Sequence, residues 1–260
     1  MSNTKTTLIS HVFNEEYLLP FWLTHHKPLF DEIIIVDYNS TDKSIEICKS
    51  ICPNCIIKKT RNYNFSADVV DNEIMDIEND IDGIKIVLNT TEFIFSEIPI
   101  KDLFINNNTI SYSVNQLSAY SNNINICNNP SYSEYFKNLL NDDCVYHYDR
   151  GVRQLHNYPN GNYTVGRHTT QNPHNVVTNK AHIIWLGLYP INDNLMKRKL
   201  QIQQHIPQSD RIKGWGFQHL WDTQKILSVN IAKAKNGIIL KDINLDLYNL
   251  LCKYITALTM

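Results

Sequence analysis

Over the first 95 residues, apolar positions arrive in short unbroken blocks, and the stretches between them place their apolar residues three or four apart. The blocks in "TTLISHVF" (Thr6 to Phe13), "DEIIIVDYN" (Asp31 to Asn39), "CIIKKTR" (Cys55 to Arg61) and "IKIVL" (Ile84 to Leu88) predict strands, and the four consecutive apolar residues of the second predict cover on both faces. Between them, "NEEYLLPFWLTHHKPL", "STDKSIEICKSI" and "SADVVDNEIMDIEND" predict helices, with Leu18, Phe21, Trp22 and Leu29 inward in the first and Val69, Val70, Ile74 and Ile77 in the third. Asn14 is the expected N-cap of the first helix, with Glu15 and Glu16 complementing its dipole. Ser40 or Thr41 is the expected cap of the second, with Asp42 near its start. Strands and helices alternating at this spacing predict an α/β fold with a mainly parallel sheet and right-handed crossovers.

After Phe95 the pattern loosens. "TISYSVNQLSAY" alternates like an exposed or edge strand, and "YSEYFKNLL" predicts a short helix. From Cys144 to Pro190 the chain is rich in His, Tyr, Arg and Asn, with "AHIIWLGLY" as its apolar run. "DNLMKRKLQIQQH", the end of "SDRIKGWGFQHLWDTQKILSVNIAKAK", and "NLDLYNLLCKYITAL" predict further helices. No repeat and no linker divides the chain.

Composition narrows the partners. With 260 residues, 43% of them hydrophobic, the chain can bury one large core. Its 24 Lys and Arg nearly balance 26 Asp and Glu, so the formal charge of -2 argues against a nucleic-acid partner. No apolar run approaches the roughly 20 residues that span a bilayer, and the first residues lack the pattern of a secretory signal; a cytoplasmic location is expected. Of six cysteines, Cys52 and Cys55 form a lone CxxC before a strand, with no second pair at zinc spacing, which favours buried or incidental thiols over a metal or redox role.

The strand beginning at Ile84 empties into Asn89, Thr90, Thr91 and Glu92, at the carboxyl end where open α/β sheets bind ligands. "SHVFNEEYLLPFWLTHH", "DEIIIVDYNSTDKSIEI" and "IKIVLNTTEFIF", in that order, resemble the family 2-like glycosyltransferases with a GT-A fold. The resemblance covers about the first 95 residues. It implies a GT-A (Rossmann-like) sheet flanked by helices in a single domain: residues 1–95 as the nucleotide-sugar-binding half, 96–222 as the acceptor-side half and 223–260 as C-terminal helices. It also implies transfer of a sugar from a nucleoside diphosphate donor, a uridine one by expectation, to a hydroxyl acceptor with inversion, and a divalent Mn²⁺ or Mg²⁺ ion.

Carried over residue by residue, the resemblance places Val12, Phe13, Asn14 and Glu15 along the nucleotide and gives Asp37 the base or ribose, with a turn cap as its alternative, while Asp42 is first expected to cap a helix. Tyr38 stands where many relatives have a second aspartate. An Arg-Asn pair of the family falls on Asp71 and Asn72, of which the asparagine is retained. The family's Asp-x-Asp element, which holds the metal against the diphosphate, is replaced by Asn89-Thr90-Thr91, leaving Glu92 and Phe93 of the pattern. Three readings stay open: Glu92 is a metal ligand with the Asn89 carbonyl and a distant histidine; cationic side chains serve the leaving diphosphate without metal; or binding survives without catalysis.

In the second half, "YHYDRGVRQLHNYPNGNYTVGRHTTQNPH" brings together Tyr146, His147, Tyr148, Arg150, Arg153, His156, Tyr163, Arg167 and His168, and its R-x-L-H and G-x-Y-x-x-G-R-H segments are similar to the family's acceptor-side region. Arg167 and His168 are expected at the donor phosphates, His168 as a possible third metal ligand. In "IPQSDRIKGWGFQHLWD", Asp222 and His219 are the candidate bases, with Asp210 behind them, and Trp215 either stacks on a sugar or fills the core. A zinc hydrolase built on His147, His156 and His168 lacks the HExxH spacing, and a nucleotidyltransferase would want a glycine-rich basic loop where "FNEE" stands. The rival from another class is a catalytically inactive sugar-nucleotide or glycan-binding module.

Overall fold

The computed structural model describes residues 4–62, 65–104, 110–121, 130–173 and 176–258. Its first third follows the expected alternation: β1 (Thr6–Val12), α1 (Leu19–His26), β2 (Glu32–Asp37), α2 (Ser44–Ile51), β3 (Ile56–Lys59), α3 (Ala67–Asn79) and β4 (Ile84–Val87). β1 lies between β2 and β4, parallel to both, and β3 adds parallel to β2. Both faces of β1 are buried. Leu8 packs with α1 residues Trp22 and Leu23 on one side, and Ile9 with α3 residues Val70 and Ile74 on the other, which is why this half reads as continuous apolar blocks.

The chain then adds β5 (Glu92–Ser96), β6 (Ser111–Ser121), α4 (Tyr132–Lys137), β7 (Cys144–His147), β8 (Val152–His156) and β9 (Val176–Trp185). α5 (Asp193–Gln201), α6 (Gln208–Lys213), α7 (Thr223–Lys235), β10 (Ile238–Ile239), α8 (Leu240–Ile243) and α9 (Leu245–Leu258) complete it. The strand order is β10-β7-β6-β8-β4-β1-β2-β3, with β9 joined to β6 and β5 paired to β9. The result is a single mixed sheet flanked by helices. β8 enters antiparallel beside β4, so the sheet changes character at β4, next to its central strand.

β6 corrects the expectation of an exposed or edge strand, because it pairs with β7, β8 and β9 and is buried along almost its whole length. Two of its serines are satisfied inside the sheet: Ser111 and Ser113 donate to the Gln154 side-chain oxygen, and the Gln154 amide donates back to Ser113. Cys52 and Cys55, expected as thiols, form a disulfide. Among the described residues, no helix is long and apolar enough to cross a membrane.

Candidate functional site

A cavity of about 400 Å³ opens at the carboxyl ends of β1 and β4, the crevice position for ligands of open α/β sheets. From the first half it is lined by His11, Phe13, Glu15, Phe65, Val70, Asp71 and the Asn89 to Thr91 turn. From the second half come Arg150, Arg153, Arg167, His168, Trp185, Arg198, Lys199 and the loop from Gly214 to His219.

Three carboxylates around this cavity are each matched by an arginine from the other half of the chain. Arg153, 2% exposed, grips Glu92 through both nitrogens (Nε to Oε2, 3.0 Å; Nη2 to Oε1, 2.6 Å). Glu92 also accepts the backbone N–H of Asn89 at 2.8 Å. Burial pushes the Glu92 carboxyl up, but the Arg153 guanidinium and these hydrogen bonds outweigh it and hold the group below the ordinary carboxylate value. Arg198 makes the same fork to Glu15, at 2.5 and 2.6 Å. Arg167, in a left-handed conformation (φ 57°) after Gly166, pairs with Asp71 and donates to the Asn89 side-chain oxygen at 2.8 Å.

Glu92, Asn89 and His168 do not fit a divalent metal. Glu92 is occupied by Arg153, and the Asn89 oxygen by Arg167. The His168 ring faces Arg153, its Nδ1 3.4 Å from Nη1. Burial, then Arg153, bring His168 down to about 4. Hard cations want free anionic oxygens, and this turn offers its side-chain oxygens to N–H groups of Arg153, Arg167 and the Asn89 backbone instead. Among the described residues, no group of three His, Cys, Asp or Glu side chains is placed to hold a metal.

The other expected residues divide. Phe13, Glu15, Asn89, Thr91, Arg167, His168 and His219 line the cavity, whereas Val12, Asn14, Asp37, Asn72 and Asp222 do not. Val12 is fully buried in the core. Asn14 is no N-cap: its backbone is left-handed (φ 51°) and its side-chain oxygen accepts from Thr41 and Asp42 N–H groups, tying the first loop to the second. Asp37 accepts the Ser40 N–H at 2.9 Å, the turn-capping role, and Asp42 accepts the Ser44 N–H at the start of α2. Asn72 is exposed, while its neighbour Asp71 faces inward. Asp222 is an exposed N-cap of α7, accepting the Lys225 N–H at 2.7 Å. Asp210 caps α3 from across the chain, taking the Ser66 hydroxyl and the Ala67 N–H. Trp215 stands in the cavity wall between Gly214 and Gly216, both with positive φ. His147 and His156 lie elsewhere, bonded to the Lys233 carbonyl and to Glu78 and Tyr163.

Two cations remain without a carboxylate. Arg150 stacks 4.0 Å over the Trp185 ring and makes no hydrogen bond or ion pair among the described residues; its Nε is buried without a partner. Trp185 in turn lies flat over Gly187, where a Cβ would meet the ring at 2.0 Å. Lys199, 7% exposed, likewise has no hydrogen bond or ion pair among the described residues, and burial, then Arg198 and Arg150, lower its ammonium to about 7. Sequence reasoning passed over Lys199. Its signal was present, since Leu195, Lys199 and Ile202 share one helical stripe and the other two are apolar. His219, beside Lys199, is brought down to about 3 by burial and by these cations, so its imidazole is neutral.

No family model and no curated protein matches the chain. Among solved structures it is similar to glucosyl-3-phosphoglycerate synthase from Mycobacterium tuberculosis in complex with Mn²⁺, uridine diphosphate and glucosyl-3-phosphoglycerate, at 12% identity and a TM-score of 0.34, over 44% of this chain and 45% of that one. It is also similar to S. aureus TarS in complex with UDP, at 16% identity and a TM-score of 0.35, over 49% of this chain and 38% of that one. The chain therefore spans less than half the length of either structure, and the functional reading rests on the cavity itself.

Proposed function

We propose that this chain is a glycosyltransferase that moves a sugar from a nucleoside diphosphate donor to a hydroxyl acceptor, with inversion and with uridine as the first nucleoside to test. The observation that carries the reading is the cavity between β1, β4 and the second half, whose lining combines apolar and aromatic side chains (Phe13, Phe65, Val70) with a set of cations. That combination suits a nucleoside joined to phosphates. In the transfer, the acceptor oxygen bonds to the sugar's anomeric carbon while the bond to the phosphate oxygen breaks, its electron pair leaving on the diphosphate. The acceptor proton passes to a base. His219 is the candidate, because its neutral imidazole can accept a proton; burial lowers its basicity most, and a bound anion offsets the smaller share that Lys199, Arg198 and Arg150 add. Asp222 is withdrawn from that role.

Thermal unfolding with a panel of nucleotides and nucleotide sugars tests the reading. A ligand present at about a hundred times its dissociation constant adds roughly 2.7 kcal/mol, which moves the midpoint by several degrees in a chain of this size. A shift with a nucleoside diphosphate, followed by release of that diphosphate from its sugar conjugate on turnover, supports the proposal; no shift with any nucleotide contradicts it. Binding without turnover is the second reading, favoured by the engagement of Glu15, Asp71 and Glu92, which leaves none of them free as a base.

A further inference from the structure

The cavity contains a ledger of charge that the fold does not balance. Glu15, Asp71 and Glu92 are neutralised by Arg198, Arg167 and Arg153, each pair joining the two halves of the chain. Asp210 is spent on the N-terminus of α3. Arg150 and Lys199 are left over, on different elements but on the same cavity wall. Folding gains no hydrogen bond or ion pair from either charge among the described residues, and Arg150 has only its stacking on Trp185. A buried lysine without a partner opposes folding when protonated, and a guanidinium with a buried, unbonded Nε forfeits a hydrogen bond. Two uncompensated cations aimed into a cavity are the complement of a compact dianion.

Resting on the glycosyltransferase reading, we infer that Arg150 and Lys199 together hold the diphosphate of the donor and take the place of a divalent metal. Arg150 offers a planar fork of N–H donors, kept in orientation by the Trp185 face, and Lys199 offers a compact point charge from α5. Neither has to release a protein partner to do so. The diphosphate leaves carrying the electron pair of the broken bond, and fixed positive charge stabilises it most at that stage. The Asn89 to Glu92 turn, where relatives carry an acidic metal-binding element, serves here to seat Arg153 and Arg167 and close the site's floor.

The test is equilibrium binding of uridine, UDP and inorganic pyrophosphate, in chelator and with Mn²⁺, to the full chain and to the Arg150→Gln, Lys199→Gln and Lys199→Arg variants. The inference expects wild-type UDP affinity to be the same in chelator and in Mn²⁺. It expects a loss of tenfold or more for UDP and pyrophosphate in each glutamine variant, substantial recovery in Lys199→Arg, and unchanged uridine affinity throughout. Retained uridine binding also shows that a variant is folded. If wild-type UDP binding collapses in chelator and returns with Mn²⁺, or if both glutamine variants bind UDP as wild type does, the inference is overturned while the glycosyltransferase reading stands. Failure of the wild type to bind any of the three probes overturns both.

Discussion

The two walls of the cavity carry opposite charge. The wall built from the first 95 residues supplies Glu15, Asp71 and, just behind it, Glu92, while the later wall supplies Arg150, Arg153, Arg167, Arg198 and Lys199. Three cross-wall pairs cancel, and each is buried or nearly so. A buried ion pair adds little net stability because both charges were taken out of water to make it, but leaving either member alone is expensive. The pairs therefore fix how the halves meet, and the two surplus cations define what the meeting place can bind.

Glu92→Gln should give the largest effect. It strands Arg153 in the interior, and the expected cost is about 3–5 kcal/mol, read as a fall in the denaturation midpoint. Adding Arg153→Met should recover much of that loss, since the second substitution removes the stranded charge. A metal ligand at position 92 would behave differently: its loss would weaken metal-dependent binding and leave stability without metal nearly untouched.

Asp210→Ala comes next, at about 1–2 kcal/mol, because it removes a cap from α3 that comes from the opposite wall. Asp222→Ala should cost about 1 kcal/mol as an ordinary exposed N-cap, with nucleotide affinity and turnover unchanged. A lost turnover there would restore Asp222 as a base.

The last effect concerns pH. Lys199, facing Arg198, Arg150 and His219, loses its proton near 7 in the unliganded protein. A bound diphosphate favours the charged form, so UDP affinity should fall as pH rises above about 7, by no more than about tenfold per unit for one linked proton. The stability of the unliganded fold should move the other way. Its folded pKa lies below the ordinary lysine value, so this group's penalty is lifted as pH climbs from about 7 toward 10.5.

The parallel half was legible because its strands are buried on both faces and its helices keep a 3.6-residue period, so β1 to β4 fall where the apolar blocks predict. β7, β8 and most of β9 were not. In β8 much of the burial falls on Arg153, Gln154 and His156, polar residues whose partners Glu92, Ser113 and Glu78 lie far along the chain, and the first half of β9 is largely exposed. The site was legible as a place and partly as a set: Asn89, Arg167, His168 and His219 do converge. Their roles were harder to read, because whether Glu92 is free for a metal depends on Arg153, 61 positions away, and nothing local signals that pair. Asp37, Asp42 and Asp222 turned out to cap turns and helix starts, roles available to any aspartate before an N–H cluster.

The most direct single measurement is the affinity of the wild-type protein for uridine, UMP and UDP in the presence of chelator. Surplus fixed charge in the cavity predicts that affinity climbs from uridine to UDP by about tenfold or more, a difference of at least about 1.4 kcal/mol, with no metal present. Equal affinity for uridine and UDP until Mn²⁺ is supplied would contradict the account at its centre.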